Sequence, residues 1–271
     1  MANRINVLFI GDIVGDPGMK IVRENLLEFK KIYKSDFLIV NGENICNGKG
    51  VTETEASELF TLGVHVITTG NHIWDNWKSR PLLAKNDNVL RPLNYPGGNP
   101  GRGFKIYDTN DFTVAVLQLQ GRTFMQSIDC PFRAADMALN MIQEKTNLII
   151  VDFHADATAE KIAMGWHLDG RVSAMLGTHT HIQTADATIL PAGTGYITDV
   201  GMTGPYDSVL GMRKDVALKR FTLQTAHKYE MATEDVHMCG VSMSIDAETG
   251  QAMSIDPFIH PKFPRSVHDL L

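Results

Sequence analysis

The chain has 271 residues, 44% hydrophobic and 21% charged, which suits a compact enzyme-sized unit, and residues 1–271 are expected to form a single domain. A net charge of −6 without a long basic run excludes a duplex nucleic-acid groove working through bulk charge, while a cationic site for a small nucleotide stays compatible. Three cysteines, Cys46, Cys130 and Cys239, lack any Cys-x-x-Cys spacing and fit reduced thiols in a cytoplasm; the N-terminal apolar run is too short for a signal core or a membrane span.

Ile5 to Ile10 reads as a first strand, closed by Gly11-Asp12. Asp16 and Pro17 predict an N-cap followed by proline at the first helical position, and Val22, Leu26, Phe29 and Tyr33 give that helix an apolar face. Phe37 to Val40 is the next strand, ending in Asn41-Gly42-Glu43-Asn44. Thr52 to Glu55 has capping-box spacing and opens a helix that Gly63 closes before a strand from Val64 to Thr69 and the sequence Gly70-Asn71-His72. Ile73 to Asn88 is expected to be helical with a break at Pro81, and the glycine- and proline-rich stretch from Tyr95 to Phe104 a loop.

Strand pattern resumes from Phe112 to Leu119, a helix spans Ala134 to Ile142, and Leu148 to Val151 is a strand leading into Asp152-Phe153-His154. Asp156 is the expected cap of a helix from Ala157 to Trp166, which Gly170 ends before the strand Val172 to Leu176 and the motif Gly177-Thr178-His179-Thr180-His181. Beyond it helices become scarce: Thr188 to Leu190, Tyr196 to Thr198 and Val241 to Ile245 read as short strands. Asp246 to Gly250 reads as a hairpin turn, and the tail after about 257 as extended or loose.

Five strand ends thus present Asp12, Glu43-Asn44, Asn71-His72, His154 and His179/His181. Singly, each has an ordinary structural explanation: a helix entry, a turn former, a core histidine. Jointly they do not, because successive βαβ units bring strand C-termini to one edge of a sheet, where ligands bind. Carboxylate and carboxamide oxygens with imidazoles suit borderline divalent ions such as manganese, iron or zinc, and so many ligands exceed one tetrahedral site. Two ions bridged by one carboxylate, with Glu43 as the candidate bridge, would activate a shared hydroxide for attack on phosphorus. Their residual positive charge suits a singly charged phosphodiester.

These motifs, with Gly11-Asp12-Ile13-Val14-Gly15 and Gly42-Glu43-Asn44 the most specific, resemble the calcineurin-like metallophosphoesterases, and within them the bacterial YmdB-like branch. The resemblance implies an α/β fold, a four-layer α-β-β-α sandwich with two central mixed sheets. It implies two divalent ions, iron or manganese first and zinc or magnesium next. Asp12, Glu43 and His181 would hold one ion; Glu43, Asn71, His154 and His179 would hold the other. His72 would protonate the leaving oxygen. The wider family has a further ligand histidine just after the first aspartate, which this sequence lacks, and the branch implies that the Asn44 carbonyl oxygen serves that ion instead. The implied activity is hydrolysis of phosphodiesters, notably 2′,3′-cyclic nucleotides to 3′-nucleotides.

Trp74 and Trp77 are candidates for base stacking or for ordinary packing, Arg102 and Arg122 for phosphate contacts or surface solvation, and Cys46 for an oxidation-sensitive or a quiet thiol. Two other readings compete. Gly11, Gly15 and Gly18 follow the first strand but lack dinucleotide-fingerprint spacing. A metal-dependent nucleotide-binding regulator with little turnover would use the same residues. Homo-oligomerisation is left open.

Overall fold

The computed structural model describes residues 4–109 and 111–263. Chain order runs β1 (Arg4–Ile10), β2 (Asp12–Ile13), α1 (Gly15–Ile32), β3 (Phe37–Asn41), α2 (Glu53–Thr61), β4 (Val66–Thr68), a 3-10 turn (Asn71–Trp74) and α3 (Ser79–Lys85). It continues through β5 (Phe104–Asp108), β6 (Thr113–Gln120), α4 (Pro131–Ile142), β7 (Ile149–His154), α5 (Thr158–Leu168) and β8 (Ala174–Thr178). The last elements are β9 (Thr188–Ile189), β10 (Gly195–Ile197), β11 (Met202–Pro205), α6 (Lys214–Leu223), β12 (Val236–Asp246) and β13 (Ala252–His260).

Two mixed sheets form. One has the order β2-β11-β12-β1-β3-β4, with β13 also paired to β12; the other has the order β5-β6-β7-β8-β10-β9. Alternation along each strand separates three cores. Val7, Phe9, Phe37, Ile39, Val116, Ile150 and Leu176 meet between the sheets. Leu8, Ile10, Leu38 and Val40 point the other way, onto Val22, Leu26 and Leu59 of α1 and α2. Ile149, Val151 and Phe153 pack on Ala138, Leu139 and Met164 of α4 and α5. The arrangement is the four-layer α-β-β-α sandwich expected from the sequence.

Several boundaries differ from the sequence reading. α1 begins at Gly15 after Val14, so Asp16 is not its cap and Pro17 is the third helical residue. The N–H that proline lacks is one of the first four, which have no partner inside the helix anyway. The box at Thr52 and Glu55 does cap α2. Ile73 to Asn88 is not one helix, and Pro81 lies in the first turn of α3 rather than breaking it. Asp156 does not cap α5: Ala155 N still bonds to Thr178 O, and the helix opens two residues after Asp156, at Thr158, behind Ala157.

Phe104 starts the strand β5 rather than closing a loop. The tail pairs with β12 as far as His260, with Pro257 tolerated because β13 is an outer strand; residues 264–271 lie outside the described residues. α6 went unread because it has no consistent apolar stripe: Val216 and Ala217 are buried while Leu218, Phe221 and Leu223 are exposed.

Candidate metal centre

The face between the sheets is apolar for most of its length and turns polar at one edge. Following the same side of each strand by twos, Ile39 gives way to Asn41, Val66 to Thr68, Leu176 to Thr178, and Ile150 to Asp152 and then His154. These polar groups meet. Asp152 accepts hydrogen bonds from Asn41 Nδ2 at 2.9 Å, Thr68 Oγ1 at 2.5 Å and Thr178 Oγ1 at 2.7 Å. Thr178 Oγ1 also lies 2.9 Å from His154 Nδ1, so the ring is oriented from behind and its Nε2 faces the edge. Burial raises the Asp152 carboxyl to about 6 against the opposing His154 charge and these hydrogen bonds.

At the edge, Glu43 Oε1 is 2.9 Å and His179 Nδ1 also 2.9 Å from His154 Nε2. Glu43, His154 and His179 each offer one ligand atom within 4.8 Å of the others, a spacing one ion can span. His181 Nε2 faces Asn44 Oδ1 at 3.3 Å, while its Nδ1 meets Leu210 O at 3.2 Å. Asp12 borders the first of these groups: its Oδ2 accepts His179 N at 2.9 Å, and its Oδ1 is 3.9 Å from His154 Nδ1. Asn71 is flanked by Gly70, where a Cβ would lie 2.3 Å from Glu43 Oε2, and by His72, whose N–H donates to that oxygen at 3.1 Å. The structure thus gathers Asp12, Glu43, Asn44, Asn71, His154, His179 and His181 at one edge.

Whether these residues fit a cation can be judged from their oxygens. Asp12 Oδ1 and Asn71 Oδ1 are buried yet accept no hydrogen bond, while Glu43 Oε1 has the His154 ring as its neighbour. Each such orphan costs about 1–3 kcal/mol, and a divalent ion would satisfy both. Histidine geometry agrees: His179 and His181 have φ of 98° and 65°, strained values for non-glycine residues that concentrate at functional sites.

Charge couples the cluster. Burial lowers His154, but Glu43, Asp12 and Asp152 outweigh it and raise the ring to about 9. Burial raises Glu43, and the His154 charge and hydrogen bond overcome it, holding the carboxyl at about 2. Asp12 is raised well above the carboxylate range by burial, against the pull of His154. Burial and the neighbouring His154 push His179 down to about 3; burial lowers His181 too.

His72 sits at the rim with its side chain 34% exposed and Nδ1 2.8 Å from Asp75 Oδ2, which leaves Nε2 as the free nitrogen. Trp74 is part-buried against Tyr95, ring centroids 5.1 Å apart, whereas Trp77 is 74% exposed. Arg102 pairs with Asp87 at 2.9 Å; exposed Arg122 follows Gly121, whose N–H bonds to His154 O, which sets its backbone beside the centre. Burial and Glu55 push the Cys46 thiol up to about 12, so it is the quiet thiol. Sequence reasoning passed over Asn41, Thr68, Asp152 and Thr178 as site residues. Counting back by twos from His154 would have found Asp152.

The family model described as YmdB-like protein matches residues 8–258. A 2′,3′-cyclic-nucleotide 2′-phosphodiesterase of Bacillus subtilis (strain 168) is 46% identical over 252 residues, covering 93% of this chain and 96% of that protein. Among solved structures, a Mycoplasma pneumoniae protein titled a novel phosphatase aligns with a TM-score of 0.90 at 32% identity, over 96% of this chain and 94% of its own. A hypothetical protein from Thermus thermophilus aligns with a TM-score of 0.88 at 40% identity, over 94% and 98% of the two chains.

Proposed function

This chain belongs to the YmdB-like family of metallophosphoesterases, and from that premise we propose that it is a metal-dependent phosphodiesterase that hydrolyses 2′,3′-cyclic nucleotides to 3′-nucleotides. The observation that carries the reading is the convergence of Glu43, His154 and His179 beside the unpaired oxygens of Asp12 and Asn71. Two ions, iron or manganese first and zinc or magnesium next, would divide the ligands. Asp12, Glu43, Asn44 and His181 would hold one; Glu43, Asn71, His154 and His179 would hold the other. When bound, such a pair supplies Lewis acidity at the phosphoryl oxygens and a nucleophile at neutral pH.

The protein's own groups do the rest. Asp12 and Glu43 bring the anionic charge that limits the positive field to what a singly charged diester matches. His72 stands at the opening, where Asp75 accepts from Nδ1 and leaves the Nε2 proton of the imidazolium to be given away. The oxygen of water bonds to phosphorus, the P–O2′ bond breaks and O2′ takes that proton; of water's two protons one stays on the 3′-monophosphate and the other goes to solvent, from which His72 is reprotonated. Trp77, exposed near this opening in sequence, is left without a role. Among the described residues no helix is long and apolar enough to cross a membrane, and a cytoplasmic nucleotide pool is the proposed setting.

The test is hydrolysis of 2′,3′-cyclic against 3′,5′-cyclic nucleotide by protein reconstituted with Mn²⁺ or Fe²⁺, alongside metal analysis. Turnover of the 2′,3′ substrate with 3′-nucleotide as product supports the proposal. Bound metal without turnover would instead make the chain a nucleotide-binding regulator. His72→Ala is expected to keep its metal and lose about 10²–10⁴-fold in turnover, the usual worth of a general acid; full activity would remove the acid role.

A further inference from the structure

Two charged side chains, Lys161 on α5 and Asp199 after β10, are wholly buried outside the ligand set. They are joined Nζ to Oδ2 at 2.7 Å. Burying an ion pair is costly, and apolar residues of similar volume often serve stability as well or better, so the pair calls for a further reason. Asp199 supplies one. Its Oδ2 also accepts Thr180 N at 3.0 Å and Thr180 Oγ1 at 2.7 Å, while its Oδ1 accepts Gly201 N at 2.8 Å.

Thr180 is the residue between His179 and His181, the two residues held at positive φ. Nothing in a strand ladder fixes that backbone, because β8 ends at Thr178. The approach of the pair also explains the glycine that opens the motif. A Cβ on Gly177 would lie 1.8 Å from Thr198 O and 3.1 Å from Lys161 Cδ, so any side chain there would push away both the lysine stem and the strand end leading to Asp199.

We propose that the Lys161–Asp199 pair is a positioning device for the metal centre: it clamps Thr180 and thereby holds the backbone that aims the His179 and His181 imidazoles at one edge. Lys161 anchors the carboxylate from α5, and the carboxylate grips the loop by both its amide and its hydroxyl. Neither residue hydrogen-bonds to the ring of His154, His179 or His181. The inference rests on reading the edge as a metal centre.

The experiment is titration of Co²⁺ into chelator-treated full-length protein, following affinity, stoichiometry and the cobalt d–d absorption. Thr180→Val removes the hydroxyl contact while leaving the ion pair buried, and is expected to weaken Co²⁺ binding about 10- to 100-fold, with Thr180→Ser restoring it. Asp199→Asn should weaken binding at least as much and alter the d–d spectrum. The inference is overturned if the folded Thr180→Val variant binds Co²⁺ with wild-type affinity and spectrum while only its melting temperature falls. If the wild-type protein itself takes up no Co²⁺, the metal reading fails first and is identified as the failure.

Discussion

His154 and the His179/His181 pair reach the same edge by different means. His154 belongs to β7, where extended backbone and two-residue alternation already aim its ring between the sheets. It needs only orientation, which the hydroxyl of Thr178 and the carboxylate of Asp152 supply. His179 and His181 lie beyond β8 at positive φ, and the contact that holds the loop between them comes from Asp199. A ligand on a strand is aimed by the fold itself. A ligand on a loop has to be held by groups brought from elsewhere, at the expense of burying charge.

Glu43 is the carboxylate proposed to serve both ions, so its loss should have the largest effect. Glu43→Gln keeps the shape but removes the shared anion, and both metal content and turnover are expected to collapse, with kcat/KM down at least about 10³-fold for an effect worth several kcal/mol. Wild-type metal content with near-normal turnover would show that Glu43 is not the shared carboxylate. Gly70→Ala strikes the strand arm by steric means. The added Cβ would stand 2.2 Å from His154 Cδ2 and 2.3 Å from Glu43 Oε2. A loss of about 1–3 kcal/mol in thermal stability is expected from the overpacking, together with weaker metal binding in the folded fraction.

Thr178→Val sharpens the comparison further. It deletes the hydroxyl shared by Asp152 and His154 while leaving Thr180 and Asp199 in place, and should lower metal affinity about 10- to 100-fold. If Thr178→Val and Thr180→Val cause equal and additive losses, the two arms act independently; strong non-additivity in the double variant would merge them into one unit.

Much of this was legible in the sequence, for a physical reason. Residues of metal-ligand type at strand ends are signalled twice, by chemical type and by the apolar run that precedes them, so Asp12, Glu43, Asn71, His154 and His181 stood out before any geometry was known. Asn41, Thr68 and Asp152 did not, because a polar residue in the last turn of the pleat looks like the onset of a loop until the two sheets are face to face. Lys161 was hidden more deeply: on an amphipathic helix a lysine ordinarily marks the solvent face, and only the partner 38 residues away reverses that reading. α6 carried no apolar period to read, since its buried positions are just Val216 and Ala217.

The raised pKa of His154 makes a prediction about pH. In the metal-free protein the ring titrates near 9, above its ordinary value, so at pH 7 it is an imidazolium held by Glu43, Asp12 and Asp152. A metal ion must displace that proton. Affinity is therefore expected to rise by up to about tenfold per pH unit between 7 and 9 and to level off above, with about one proton released per protein from His154 at pH 7, measurable with an indicator dye in weak buffer. The sign for stability is opposite. A raised histidine stabilises the metal-free fold fully below its unfolded pKa and loses that contribution as pH climbs through 9, so the apoprotein should melt at lower temperature at pH 9 than at pH 7. Rising apoprotein stability across this range would mean that His154 is neutral before metal arrives.

The smallest effect is expected at Cys46, which shares the loop of residues 43–50 with the ligands but belongs to neither arm. Its Sγ lies 3.4 Å from Glu55 Oε2, the carboxylate that caps α2, and burial together with that carboxylate pushes the thiol up to about 12. At pH 8 the thiolate fraction is then on the order of one part in ten thousand, far too little for ready alkylation or oxidation. Cys46→Ser should leave turnover within about twofold and metal affinity unchanged, and iodoacetamide at pH 8 should spare the thiol in the native protein while labelling it after unfolding. Rapid native labelling with loss of metal would connect the α2 cap to the Glu43 loop, and the division between strand-borne and loop-borne ligands would then have to include a third support.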